Sequence, residues 1–418
     1  MNLANLFGNG KKEEKVILVI LIVAFVFIRS IHFSNYLNFS LDQATFSLKS
    51  LEIFKNKTIT LIGPSVSLNF NGRHIFQSSF TYYFQLLFLM LGHFDPIYSS
   101  YLFMVFCALM IIPLYFGVKF LTNKNIATGT VIIYSLLPYF IDYTRFLWST
   151  NFQISLMPGL LCLMGLFKTK KNVICLLFIS FYSALLIQIH YVFIPISFAI
   201  LCYFLLTVNK KIYHASIYVL GHLLGLLPIF IFEIRNHFYN FNTAILFLKN
   251  YKQVLQSSSG ELSHSFLPFS LFLIIIILSV ANKIISSKVN ILLALFLLTI
   301  SISIYFKNPT NAFGMAKNWN YPDEKKVYDI IRGEKLNNYN IANLVYDTKA
   351  NVQVYLHVKN GVKIENNNYE TNKYLFVISK GSKYMQDGAY EVNRFRPSVE
   401  MKKWPINEVY TLYLLKRL

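Results

Sequence analysis

The run VILVILIVAFVFIRSIHF, Val16 to Phe33, follows Lys11, Lys12 and Lys15 and leads into Asn38-Phe39-Ser40-Leu41-Asp42-Gln43. It is long enough to cross a bilayer and has no small-residue cleavage site, so it predicts an uncleaved first span with a cytoplasmic N-terminus. The rest of the chain extends this pattern. Of its 418 residues 55% are hydrophobic and 14% charged, and the mean hydropathy is +0.46, more apolar surface than a soluble core can hide. The formal charge of +20 would point to nucleic acid in a soluble protein. Here most basic residues fall in short loops between apolar runs, a topology signal that leaves no case for a nucleic-acid partner. Cys107, Cys162, Cys175 and Cys202 all lie inside apolar runs, without disulfide or metal-type spacing.

Further spans are expected over about 97–121, 126–143, 152–167, 173–190, 192–206, 212–232, 266–281 and 289–306, nine in all. With the N-terminus inside, Lys119 and Lys124, then Lys168, Lys170 and Lys171, then Lys210 and Lys211, then Lys283 and Lys288 all fall on the cytoplasmic side. The stretch Phe80 to Leu91 is too short for a span and reads as an interfacial or re-entrant segment. After Asn308 come helical patterning at Asp323 to Arg332 and β-like runs at Ile341 to Tyr346, Tyr374 to Ser379 and Val409 to Leu415. The expected fold is an all-α polytopic membrane domain, residues 1–307, with about nine transmembrane helices and juxtamembrane helices in the first outer loop. A small extracytoplasmic α/β domain, residues 308–418, follows it. The expected location is the cell's inner (plasma) membrane.

Between Lys15 and Phe306 the carboxylates are Asp42, Glu52, Asp95, Asp142, Glu233 and Glu261, all on the predicted outer side. Ionisable groups in such surroundings are functional candidates by default. Asp42 opens an amphipathic helix marked by Ala44, Leu48, Leu51 and Phe54, which would lie on the membrane surface. It reads as that helix's N-cap or as a catalytic base. Asp142-Tyr143-Thr144-Arg145-Phe146-Leu147-Trp148-Ser149-Thr150-Asn151 offers a planar cationic fork for phosphate at Arg145 and a stacking ring at Trp148; interfacial anchoring would use the same residues. His190 in Gln188-Ile189-His190-Tyr191, and Glu233, Arg235 and Asn236 beside His237, cluster polar groups at two span ends, where Glu233 and Arg235 could also pair structurally. Arg73 and His74 add positive charge to the first outer loop. No phosphate-cradling glycine loop, zinc-protease helix or nucleophile elbow occurs, so cytosolic nucleotide chemistry has no support.

The order and spacing of Phe39-Ser40-Leu41-Asp42-Gln43-Ala44, Leu61-Ile62-Gly63-Pro64-Ser65, Leu136-Leu137-Pro138-Tyr139, the Tyr143 to Trp148 run, Gln188-Ile189-His190-Tyr191 and Phe232-Glu233-Ile234-Arg235-Asn236 resemble a C-type membrane glycosyltransferase. The likeness is to the bacterial branch that includes protein mannosyltransferases and aminoarabinose transferases. It implies inverting transfer of a sugar from a polyprenyl-phosphate donor to a glycan, lipid or protein acceptor on the outer face, among membrane lipids. Asp42 matches the family's first-loop acid, the general base for the acceptor hydroxyl. Where relatives carry His or Lys followed closely by Pro, this chain has Phe76-Gln77-Ser78-Ser79, leaving Arg73 and His74 as substitutes at the carrier phosphate. Arg145, Asp142, Trp148, Asn151, His190, Glu233, Arg235 and Asn236 complete the expected substrate-binding set. No cofactor is indicated, and a divalent cation stays open. The rival readings are a transporter or flippase, which should show an internal repeat and midplane polar residues, and a polymerase or ligase of lipid-linked sugars.

Overall fold

The computed structural model describes residues 12–207, 210–251, 253, 267–364, 366, 369–381 and 389–418. Lys11, Phe266, Glu261 and most of the loop to Ser265 lie outside the described residues. In chain order the elements are α1 (Lys12–Ser30), α2 (Phe33–Tyr36), α3 (Leu41–Asn56), β1 (Ile62–Phe70), β2 (Arg73–Ser78), α4 (Phe80–Leu91), α5 (Pro96–Leu109) and α6 (Ile111–Leu121). They continue with α7 (Lys124–Leu136), α8 (Pro138–Tyr143), α9 (Ser149–Lys170), α10 (Val173–Ile189), α11 (Ile194–Thr207), α12 (Lys211–Gly225), α13 (Leu227–Arg235), α14 (Tyr239–Lys249), α15 (Leu267–Val280) and α16 (Ser287–Tyr305). The last segment holds α17 (Tyr321–Gly333), β3 (Tyr339–Asn343), α18 (Asn351–Lys359), β4 (Tyr374–Ser379), α19 (Tyr390–Arg394), β5 (Ser398–Pro405) and β6 (Thr411–Arg417). The chain divides into two compact units. One is Met1–Ile31 with Thr58–Gln85 and Leu102–Tyr305; the other is His32–Lys57 with Leu86–Tyr101 and Phe306–Leu418.

The first unit is a helical bundle in which Lys119, Lys124 and Lys168 gather at one end. Lys119 pairs with Glu14 at 2.8 Å and Lys124 lies 3.8 Å from the same carboxylate. Lys168 donates to Leu121 O at 2.6 Å, and Asn123 bonds Asn282 at 2.7 Å. The start of α1, the α6–α7 loop, the end of α9 and the α15–α16 loop therefore share one end, as the lysine pattern requires. Among the described residues three helices, Pro96–Leu121, Ser149–Lys170 and Ser287–Tyr305, are long and apolar enough to cross a membrane, and the pair α12 and α13 adds a bent fourth. Phe80–Leu91, Val173–Ile189, Tyr191–Thr207 and Leu267–Val280 are apolar but shorter. At about 1.5 Å per residue these fall short of the roughly 30 Å hydrocarbon core, so nine full-length spans are not established by length.

Two expected spans are broken, each beside a proline. The 126–143 run stops at Leu136 because Leu137, ahead of Pro138, takes an extended conformation, and α8 begins anew. The 212–232 run bends by 64° between α12 and α13, where Pro228 opens α13. α10 packs closely on α12 because a Cβ at Gly221 would lie 2.6 Å from Ser180 Cβ and one at Gly225 2.5 Å from Ala184 Cβ. Small residues four apart on both helices let the backbones approach.

The first outer loop is only partly helical. Ile62–Phe70 and Arg73–Ser78 form an antiparallel hairpin around Asn71-Gly72, both at positive φ (51° and 73°), the conformation that an Asn-Gly turn supplies. The N-cap of α3 is Ser40, not Asp42: Gln43 Oε1 accepts from Ser40 N at 3.2 Å and from Ser40 Oγ at 2.8 Å. Asp42 is exposed on the helix's first turn. The buried face of α3 also differs from the expected stripe. Ala44 and Leu51 are buried with Gln43, Ser47 and Ser50, whereas Phe54 is 44% exposed. That small-residue face packs on α18, so α3 lies on protein along this face instead of on lipid.

In the second unit a four-stranded sheet has the order β3-β4-β6-β5, with β3 parallel to β4 and the other pairs antiparallel. Alternate residues of β4 and β6 serve two cores. Phe376, Ile378, Leu412 and Leu414 pack with Trp319, Val327 and Ile331, while Leu375, Val377, Tyr413 and Leu415 pack with Val392 and Phe395. A strand buried on both faces reads as a continuous apolar run, as Tyr374 to Ser379 does. Glu324 is fully buried and accepts from Trp319 Nε1 at 2.8 Å, Asn343 Nδ2 at 3.1 Å, Tyr346 Oη at 2.6 Å and Gln353 Nε2. Burial pushes this carboxyl upward, and the donors oppose the shift.

His357 is also fully buried, with Nδ1 2.7 Å from Gln353 O, and burial lowers it to about 4. The unfolded imidazole takes up a proton near pH 6.5 and the folded one only near 4, so the folded state loses stability as pH falls through that window. Relative to His357→Gln, the wild type should lose about 2–3 kcal/mol between pH 6.5 and 4, read from pH-dependent melts of both proteins. Parallel melts of the two proteins would refute this.

Candidate functional site

Away from the lysine end, two buried arginines tie three helix termini together. Arg29, in the last turn of α1, is 0% exposed and stacks 3.3 Å above the Phe25 ring. Its Nε donates to Thr144 Oγ1 at 2.6 Å, Nη1 to Ser135 O at 2.8 Å and Nη2 to Tyr134 O at 3.4 Å. Those carbonyls belong to the last turn of α7, which cannot be satisfied within the helix once the chain breaks at Pro138. Arg145 returns the contact: its Nη2 donates to Ile28 O, in the last turn of α1, at 3.1 Å. Its guanidinium also lies 4.3 Å from the Tyr305 ring centroid and 3.8 Å from Asp142 Oδ1. Tyr305, the last residue of α16, donates to Asp142 Oδ1 at 2.8 Å. Arg29 thus meets the open end of α7, and Arg145 the open end of the helix that carries Arg29.

The cluster holds two fully buried guanidinium groups and one partly exposed carboxylate, an excess of positive charge. Arg145 is 0% exposed, so it supplies this charge from beneath the 142–151 loop, and its guanidinium is engaged with protein. Trp148, half-buried, stacks with Phe146 at 6.3 Å between centroids. Asn151 is fully buried, and its amide donates to Phe146 O at 2.9 Å. The sequence reading passed over Arg29, although a lone charge inside an apolar run is itself a signal.

The other expected residues fall elsewhere. His190 ends α10, where its Nδ1 accepts from Val192 N at 3.3 Å. Its carbonyl takes a bond from Gln153 Nε2 at 2.9 Å. Glu233 turns to the first turn of α14, accepting from Asn240 N and Phe241 N at 3.2 Å each, so it serves as a cap instead of pairing with Arg235. Arg235 is exposed; Asn236, exposed too, donates to Phe232 O at 2.8 Å. Arg73 is exposed beside the hairpin turn and His74 is half-buried next to it. Below them opens an apolar cleft of about 820 Å³, lined by Ile75, Tyr191, Ile194, Leu226, Phe230 and Phe241 among others.

Asp42 belongs to the second unit, as do Glu52 and Asp95. Glu52 pairs with Lys49 at 3.0 Å, and Asp95 both pairs with Lys359 at 3.1 Å and caps α5 through Ile97 N at 2.9 Å. Among the described residues no group of three or more His, Cys, Asp or Glu is placed to hold a metal ion.

The caps are testable without an activity. A lysine at position 29 keeps the charge but cannot reach Thr144, Ser135 and Tyr134 together. Arg29→Lys should therefore lower the stability of the detergent-extracted protein by about 2 kcal/mol or more, read as a drop in its melting midpoint. An unchanged midpoint would reduce Arg29 to an incidental burial.

No protein-family model matches the chain, and no curated protein matches it in sequence. The fold does have relatives among solved structures. ArnT from Cupriavidus metallidurans bound to undecaprenyl phosphate superposes with a TM-score of 0.59 at 10% identity, over 97% of this chain and 98% of that one. The same protein in the apo state superposes equally well, with a TM-score of 0.59 at 10% identity over 96% and 98% of the two chains. At that identity the likeness establishes architecture, and it agrees with the resemblance carried by the sequence motifs. The chain shares the fold of ArnT across nearly its full length.

Proposed function

We propose that this protein is an inverting glycosyltransferase that moves a sugar from a polyprenyl-phosphate donor to an acceptor on the outer face of the membrane. The observation that carries the reading is the end-to-end likeness of fold to a transferase solved with undecaprenyl phosphate bound. The buried cations under the 142–151 loop and the apolar cleft beneath Arg73 and His74 suit the two halves of such a donor, an anionic phosphate and a hydrocarbon tail.

In the proposed reaction the acceptor hydroxyl attacks the anomeric carbon while a carboxylate takes its proton. The bond from that carbon to the phosphate oxygen breaks, and the polyprenyl phosphate leaves with the electron pair. One displacement inverts the centre through an oxocarbenium-like transition state. Asp42 is the proposed base. Asp42 lies exposed on the first turn of α3. Arg145 with Arg29 supplies positive potential for the leaving phosphate, and Arg73, His74 and Arg235 are its proposed direct contacts. Trp148, Asn151, His190 and Asn236 are proposed to line the sugar.

Because Ser40 caps α3, Asp42→Asn leaves the cap in place and gives up favourable charge on the helix's first turn, worth about 1 kcal/mol. An amide cannot take the acceptor's proton. In single turnover with a panel of polyprenyl-phosphate sugars, the Asn variant should lose roughly a hundredfold or more in rate while donor binding and expression hold. Wild-type turnover by Asp42→Asn would remove Asp42 as the base. A wild-type protein that transfers no sugar from any donor would overturn the reading itself.

A further inference from the structure

The outer edge of β2 is held by side chains from three other elements. Phe76 pairs across the hairpin with Ser65, and its own N–H and C=O point to the opposite edge. There Asn240 Oδ1 accepts from Phe76 N at 2.9 Å, and Asn240 Nδ2 donates to Phe76 O at 3.0 Å. A carboxamide that matches both groups acts as a one-residue third strand on an edge that would otherwise be open. Tyr191 Oη fills the remaining lone pair of Phe76 O at 2.7 Å. Two residues on, Ser78 Oγ donates to Gln188 Oε1 at 2.5 Å, and Gln188 Nε2 passes the link to Gly225 O at the bend between α12 and α13. Gln188 and Asn240 are 2% and 7% exposed. Glu233, by capping α14 through the N–H groups of Asn240 and Phe241, fixes the helix that carries Asn240.

We infer that Asn240, with Tyr191 and Gln188, is a positioning residue: it locks the root of the β1–β2 hairpin so that Arg73 and His74 at its tip are presented to an anionic lipid phosphate. The inference rests on the donor proposed above. The hairpin needs such a lock. A two-stranded ribbon is marginal in water, and β1 is irregular, with register shifts between Ile62 and Ser65 and between Ser65 and Asn69. Arg73 and His74 lie one and two residues past Gly72, while every clamp falls between Phe76 and Ser78. The clamped residues carry no charge, and the charged residues are unclamped by these bonds, a division that fits a rigid root presenting a binding tip. The lock also stands over the apolar cleft, whose wall includes Ile75, Tyr191 and Asn240.

The test uses the full chain in detergent, with undecaprenyl phosphate as the probe, in two arms. In hydrogen exchange, Asn240→Ala should speed deuteration of the 73–78 segment about tenfold, and Tyr191→Phe, which removes a single hydroxyl, about threefold. In binding, Asn240→Ala should raise the Kd for undecaprenyl phosphate about tenfold in the wild type but less than twofold in the Arg73→Ala/His74→Ala background, where nothing remains to be positioned. Equal losses in both backgrounds, or exchange that does not respond to either substitution, would overturn the positioning role. A wild type that fails to bind the probe while exchange responds as expected would defeat the donor reading, and the positioning role with it, leaving only a structural clamp. Binding by the wild type with unresponsive exchange would defeat the clamp alone.

Discussion

The reciprocal caps of Arg29 and Arg145 are the constraint on which the helical unit turns. A helix ending in an apolar medium leaves carbonyls that water cannot reach, and each costs several kcal/mol if left bare. Two such ends, of α1 and α7, meet here: α7 receives the guanidinium of Arg29 from the last turn of α1, and α1 receives that of Arg145 from the chain beyond α7. A planar fork with five donors can serve several acceptors at once, which explains arginine at both positions. The geometry also recruits Tyr305 from the end of α16, through its ring to Arg145 and its hydroxyl to Asp142. Three helix ends are fixed to one another, and the 142–151 loop is built on that knot.

The same rule operates at the second break. Where α12 gives way to α13, Gly225 O is met by Gln188, a residue on the stripe Ser180, Ala184 and Gln188 that faces Gly221 and Gly225. Small residues bring the helices together, and that proximity puts the amide within reach. A buried side chain whose partner is a main-chain carbonyl has little freedom left, so residues that repair a broken helix also become precise anchors. His222, between the two glycines, bonds Ser180 at 2.6 Å and Ser197 at 2.7 Å and draws α11 into the same contact.

What could be read in the sequence follows from where the physical signal was local. Tyr374 to Ser379 was legible as a strand because burial on both faces makes its apolar run continuous. Phe80 to Leu91 was legible as a short segment because twelve residues cannot span. β5 escaped notice because it is an edge strand whose Glu400, Lys402 and Lys403 face solvent, the charge pattern that keeps edges from pairing. The hairpin is marked in the sequence by Asn71-Gly72, but β1 lacks a regular alternation because its register shifts twice. The breaks at Pro138 and Pro228 were visible as prolines, but hydropathy carries no mark of a bend. Arg29 and Tyr305 belong to contacts between residues far apart in sequence, which no local pattern encodes.

The distribution of carboxylates bears on the stereochemistry proposed for the transfer. Retention by double displacement requires a second carboxylate as nucleophile beside the acid/base. Asp142 has its carboxylate held by Tyr305 and Arg145, and Glu233 spends both oxygens on the start of α14. To attack an anomeric carbon, either would have to abandon contacts that fix a loop or a helix end, leaving buried donors bare at a cost of about 1–3 kcal/mol each. A single displacement asks for one carboxylate only, and the proposed one, Asp42, lies on the exposed first turn of α3. The leaving phosphate needs cations, and those the chain has in excess. For the proposed transfer, the engagement of Asp142 and Glu233 therefore argues against a double displacement through either of them.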